Sequence, residues 1–130
     1  MKQISDPDFP FTLADFEEAI HLGDLALWSW NPETQEVWLD SLSRKFWQID
    51  DPIVTLDMLW DGILADDRPA AIDAWERSAA EDGPYSFEFR IDRGTQPPLW
   101  IAARGMGGRS GARGGEQLAI FMDMTAQRAG

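Results

Sequence analysis

The residues that could do chemistry are few and poorly partnered. The chain has no cysteine, and its one histidine, His21, sits in an amphipathic segment ahead of the first strand-like run. A serine nucleophile needs a base beside it, and no spacing in the sequence supplies one. Carboxylates are plentiful, as in Asp50-Asp51, Asp57, Asp61 and Asp66-Asp67. Their spacing fits no calcium loop, and paired aspartates before a helical run suit capping and the positive end of the helix dipole. The glycine-rich stretch from Gly105 to Gly115 lacks the Gly-Lys-Ser/Thr ending of a phosphate-binding loop. Its Arg109 and Arg113 are faintly similar to RNA-binding tracts, but the stretch has little side-chain volume to pack and reads as a hairpin loop. An enzyme built on a deep carboxylate would need an acid with a raised pKa, which the sequence gives no reason to expect. The expectation is a non-catalytic domain.

The elements that would position any site follow from periodicity. Tyr85 to Ile91 alternates apolar and polar residues, Leu99 to Met106 carries Trp100, and Gln117 to Met124 alternates Leu118, Ile120, Met122 and Met124. Two further strands are predicted at Leu25–Trp30 and Glu36–Leu39, separated by the turn Asn31-Pro-Glu-Thr34. Residues 41–82 read as helical. Ser41 or Ser43 can cap a segment holding Phe46 and Trp47, and Thr55 one holding Leu59 and Trp60. Asp66 or Asp67 can cap the longest, which tolerates Pro69 in its first turn, spaces Ile72, Trp75 and Ala79 helically, and stops at Gly83-Pro84. A leading helix is predicted over Phe11 to Leu22, with Thr12 or Asp15 as its cap. Three antiparallel strands in a row cannot close a core alone, so helices must cover them.

Several segments carry a resemblance to a known family. Leu27-Trp28-Ser29-Trp30-Asn31 looks like a first-strand pattern of tryptophan, any residue, tryptophan, then Asp or Asn. Asp66-Asp67-Arg68 resembles the end of a His-Pro-Asp-Asp-Arg box, and Phe87-Glu88-Phe89-Arg90 a Glu-aromatic-Arg strand. Leu99-Trp100-Ile101 is similar to the next-strand signature, and Asp123-Met124-Thr125 to a terminal Asp-Ile-Thr. In this order the five segments resemble the PAS sensory domain, in the PAS fold-3-like subgroup found in bacterial sensor histidine kinases. Leu64 and Ala65 depart from it where His and Pro are usual, as does Ala119 where glycine is usual. The resemblance implies an α+β fold, with a five-stranded antiparallel sheet, short helices packed on one face and an N-terminal helix. It divides the chain into a flanking helix over 1–23, a PAS domain over 24–124 and the start of a signalling linker over 125–130.

The resemblance also implies a pocket between helices and sheet that can hold haem, flavin or a small metabolite. The cysteine that a flavin adduct requires is missing, which excludes that chemistry. Haem is disfavoured because 66–82 contains no histidine and Met58 is the only sulfur ligand in the helical region, leaving His21 or another methionine as the remaining ligands. The cofactor is otherwise unknown. What remains is an apolar cavity whose candidate ligand-binding residues are Trp28, Trp30, Phe46, Trp60, Trp75, Phe87, Phe89 and Trp100. Large rings fill cavities as readily as they line them, so a solid core is the competing expectation. Glu88 and Arg90 are expected on the opposite sheet face. Asp123 and Thr125 are the candidate signal-transmission residues, able to cap a helix leading to a downstream effector and to pair with a nearby arginine.

Composition is compatible with this reading. The 130 residues have room for one core, and seven Trp with seven Phe supply bulk for it. A net charge of −12 argues against nucleic acid as a partner. Residues 1–92 carry 21 acids and 6 bases, and residues 93–130 carry 2 acids and 5 bases, so a basic end could pair with an acidic body in a second copy. Simple solvation of both is the plainer account. No apolar run approaches the roughly 20 residues of a membrane helix and no signal peptide is evident, so no membrane insertion and a cytoplasmic location are expected. The resemblance implies that such a leading helix packs on the sheet or against its copy in a second subunit, and Leu25, Leu27 and Phe121 could supply the apolar floor, so a homodimer is expected. The functional expectation is the input and dimerisation module of a sensor histidine kinase in a two-component system, with a small apolar ligand. The alternative is a protein–protein interaction module with a filled core.

Overall fold

Strand β1 (Leu25–Trp30) is paired along both edges, which places it inside the sheet. On one side lies β2 (Glu36–Leu39), reached through a turn in which Asn31 Oδ1 accepts the N–H groups of Glu33 and Thr34. On the other side lies the last strand among the described residues, so the first and last of these strands are neighbours. This computed structural model describes residues 10–107 and 117–128.

Between β2 and the second half of the sheet come α2 (Ser41–Trp47), β3 (Ile53–Thr55), α3 (Leu56–Gly62) and α4 (Arg68–Ala80). The chain then runs through β4 (Gly83–Ile91), β5 (Leu99–Gly107) and β6 (Gln117–Asp123), and ends in α5 (Thr125–Arg128). A leading helix, α1 (Leu13–Leu22), lies against β1. Every pairing is antiparallel, in the order β3-β2-β1-β6-β5-β4.

The sheet therefore has six strands rather than the five expected. The extra one is β3, whose Val54 pairs with Val37. Three β-branched residues after Pro52 favour extended backbone, but three positions are too few to show a period of two inside a helical region. At the other end, Gly105-Met106-Gly107 continues β5 instead of opening a loop. The rest of that expected loop, with Arg109 and Arg113, lies outside the described residues.

Alternation gives the sheet two faces. Ala26, Trp28, Val37, Phe89, Ile101 and Phe121 are buried on the face that the helices cover. Leu25, Leu27, Ile120 and Met122 share the other face, where Leu118 is 62% exposed. Phe121, expected in the outer apolar floor with Leu25 and Leu27, is instead an inner residue beside Ala26 and Ala103. At Gly105 close approach leaves no room for a side chain. A Cβ there would lie 2.7 Å from the Tyr85 hydroxyl and 2.8 Å from the Ala119 Cβ.

The helix starts follow local chemistry, with two departures from expectation. Thr12 caps α1 in a reciprocal box with Asp15, and Thr55 caps α3 by accepting the Met58 N–H. The cap of α2 is Asp40, not Ser41 or Ser43, because its carboxylate accepts the Ser43 N–H. Asp67 occupies the cap position of α4 but makes no side-chain cap bond, since its carboxylate turns toward Arg90. No described helix is long and apolar enough to cross a membrane.

Candidate functional site

The inner face brings most of the predicted rings together. Trp28 and Phe121 stack at 4.8 Å, and Trp30 meets Trp75 edge-on at 5.1 Å. Trp75 also contacts Trp28, Trp60 and Tyr85, which makes it the hub of the cluster. Burial pushes the Tyr85 phenol well above its ordinary pKa, so it remains neutral. Trp28, Trp60, Trp75, Phe87 and Phe89 line a residual cavity together with Trp47, Leu56, Leu59, Ala103 and Phe121. That cavity measures about 20 Å³. That is no larger than a single water, whereas small-molecule pockets occupy roughly 300–1,000 Å³. Phe46 is buried but does not border the space, and neither does Trp30, which packs against Trp75.

Polar atoms are not absent from this interior. The indole Nε1 atoms of Trp28, Trp30 and Trp47 are buried without an acceptor among the described residues. An unpaired buried donor is costly, so these nitrogens are the places where a polar group entering the core would gain most.

Trp100 does not belong to this cluster. In the run Leu99-Trp100-Ile101 the flanking residues are buried inward, so the indole between them projects from the outer face opposite Arg90. There two guanidinium groups approach it, those of Arg90 and Arg128, each 5.2 Å from the ring centroid. Arg90 is held by Asp67 through Nε to Oδ2 at 2.8 Å and Nη2 to Oδ1 at 2.7 Å, and its backbone N–H donates to the same carboxylate at 2.9 Å. Arg128 donates to Glu88 Oε1 from Nε at 3.1 Å and Nη2 at 2.7 Å. Glu88 and Arg90 are thus on the outer face, as expected.

The predicted transmission residues meet Trp100 through the backbone. The Trp100 N–H donates to Thr125 Oγ1 at 3.0 Å, and the Met124 N–H donates to the Trp100 carbonyl at 2.8 Å. Asp123 Oδ1 accepts the Thr125 N–H at 2.9 Å, which starts the α5 turn. Asp123 makes this cap, while the arginine pair at the junction belongs to Glu88 and Arg128. A line of contacts therefore runs from Asp67 at the start of α4 through Arg90, Trp100 and Arg128 to Glu88. Asp67 and Arg128 carry no local sequence signal that places them at this junction. The carboxylate-arginine pairing joins residues 23 positions apart, and α5 is only four residues long.

The bidentate hydrogen bonds of Arg90 hold the Asp67 carboxyl below its ordinary pKa. A carboxylate lowered on folding stabilises the fold above its unfolded pKa, and that contribution is lost as pH falls through the folded value. Asp67→Asn should therefore unfold at lower denaturant concentration than wild type at pH 7. The gap should close in the acid range below the ordinary carboxylate pKa of about 3.9. Urea midpoints from pH 7 to 2 test this; a gap independent of pH would remove the ionic role.

No known family profile matches the sequence, and no curated protein shows significant similarity to it. Solved structures do. A sensory box histidine kinase/response regulator from Burkholderia thailandensis superposes with a TM-score of 0.67 at 22% identity, over 88% of this chain and 87% of that one. A structure described under adaptor-dependent degradation of a cell-cycle regulator gives 0.69 at 22% identity, over 88% and 96%. The N-terminal domain of a diguanylate cyclase with PAS/PAC sensor from Marinobacter aquaeolei gives 0.64 at 9% identity, over 80% and 98%. The chain has the PAS fold.

Proposed function

We propose that this chain is a sensory module of bacterial signal transduction, the input and dimerisation unit of a sensor histidine kinase, with its output carried by the segment after β6. The observation behind this reading is the double hold on Trp100. Thr125 and Met124 bind its backbone, and the Arg128 guanidinium covers its ring. A shift of β5 relative to β6 would strain both holds at once, and would bias the segment leading to an effector between two arrangements. The Asp67–Arg90 pair ties the helical layer to the same ring, giving the interior a route to the exit. Histidine kinase and diguanylate cyclase sensors among the similar folds favour a sensory role. Dimerisation would use the outer face, where Leu118 and Met106 are exposed beside half-buried Leu25, Leu27, Ile120 and Met122.

The residual 20 Å³ favours the second reading, a filled core that responds to a protein partner and not to a small molecule. An apolar ligand would have to part α3 from the Trp75 cluster to enter. Native mass spectrometry of protein isolated from cells, paired with sedimentation equilibrium, separates the two. A retained small molecule supports ligand sensing, whereas bare mass with a concentration-dependent dimer supports the partner reading. A bare monomer up to high micromolar concentration would remove both ligand and dimer from the proposal.

A further inference from the structure

The corner where α1 meets the start of α2 holds a donor set that neither the interior nor the Trp100 junction uses. Glu17 and His21 stand four residues apart on α1 and so share one helix face. Facing them is Asp40, 2% exposed, whose Oδ2 lies 2.8 Å from His21 Nε2. One ligand atom from each of the three residues lies within 4.8 Å of the others. We propose that Glu17, His21 and Asp40 bind a divalent transition metal ion of the zinc type, which fastens α1 to the body of the domain. This inference is independent of the sensory reading.

Three features suit a metal better than an isolated hydrogen bond. The Asp40 carboxylate is already oriented, because Oδ2 accepts the Leu27 N–H at 3.0 Å and Oδ1 the Ser43 N–H at 2.8 Å. Such outer hydrogen bonds fix a ligating carboxylate without consuming all of its lone pairs. Glu17 pairs with no Lys or Arg among the described residues, so its charge is available. Two open depressions also meet at His21, one along α1 and one along α2, leaving room for water to complete the coordination.

One nitrogen and two carboxylate oxygens suit zinc, cobalt and nickel better than calcium or magnesium, which take oxygen ligands alone. The two carboxylates neutralise a divalent ion. Arg44 and Lys45 line the groove along α2 and oppose it, and Glu18 borders the depression along α1 and offsets part of that opposition. A three-residue site with open positions beside two cations should be of moderate affinity.

The chain's lack of cysteine and its single histidine make the test clean. Zinc is titrated into the whole chain by calorimetry, and the His21 ring nitrogens are followed by NMR. The expected result is saturable binding of one ion per chain, with Nε2 and not Nδ1 showing the coordination shift. His21→Ala should abolish the saturable phase, and Glu17→Gln, on a partly exposed helix face, should weaken it by about tenfold. Binding of equal strength in His21→Ala would reveal diffuse attraction to the acidic surface and overturn the proposal. Should His21→Ala fail to fold, undiminished affinity in Glu17→Gln or an unmoved Nε2 signal in wild type overturns it equally.

Discussion

Trp75→Ala is expected to remove about 3–5 kcal/mol of folding free energy, the usual cost of truncating a buried large aromatic. Domains of this size hold about 5–15 kcal/mol in total, so the variant should be partly unfolded near physiological temperature. The reason is position and not size alone. Trp75 is 6% exposed and touches Trp28, Trp30, Trp60 and Tyr85, which come from three different elements. Alanine would remove the one ring that joins α3 and α4 to both halves of the sheet. The surrounding indoles cannot collapse far into the gap, because Trp28 is already stacked on Phe121. The vacated space should therefore admit free indole, and millimolar indole should recover part of the lost melting temperature. A loss below about 1 kcal/mol would show that the core is loosely packed and that Trp75 is no hub.

That experiment also bears on how the sequence encodes the fold. Strand positions and their inner faces are readable where alternation is long and unbroken, as in Tyr85, Phe87 and Phe89. Reading fails where parity is ambiguous. Leu99, Trp100 and Ile101 are all apolar, so the run does not announce which face is buried, and the size of the indole points to the interior. Only the pairing of Arg90 with Trp100 decides that it faces outward. The outward position is also what makes it useful, since a ring held inside the core could not meet Arg128.

Side chains that act across the fold are the least legible. Asp66-Asp67 suggests a cap by sequence, yet Asp67 leaves the helix end to meet Arg90, because a bidentate charged partner outweighs one cap hydrogen bond. Asp40 follows a strand and precedes two serines, either of which is a plausible cap on its own. The actual choice is a matter of burial. Ser43 is fully buried and its hydroxyl donates to the Leu27 carbonyl, leaving the cap to the neighbouring carboxylate. No local pattern carries that information.

Asp40→Ala should accordingly rank beside Trp75→Ala, with a loss of about 2–4 kcal/mol. One part is the cap of α2, since the Ser43 N–H loses its acceptor. The larger part is the Leu27 N–H, which donates to Asp40 Oδ2 while the Asp40 N–H donates back to the Leu27 carbonyl. That reciprocal pair ties β1 to the start of α2, and alanine retains only the backbone half. Asp40→Asn should fall between, because one amide oxygen can serve either Ser43 or Leu27 but not both. His21→Ala removes a partly exposed partner of the same carboxylate and should cost less than Asp40→Ala. The double variant should then cost scarcely more than Asp40→Ala alone, since the His21 bond is already gone once the carboxylate is removed. Denaturant unfolding of wild type and these four variants decides it. Full additivity would mean that His21 stabilises α1 by packing and not through Asp40.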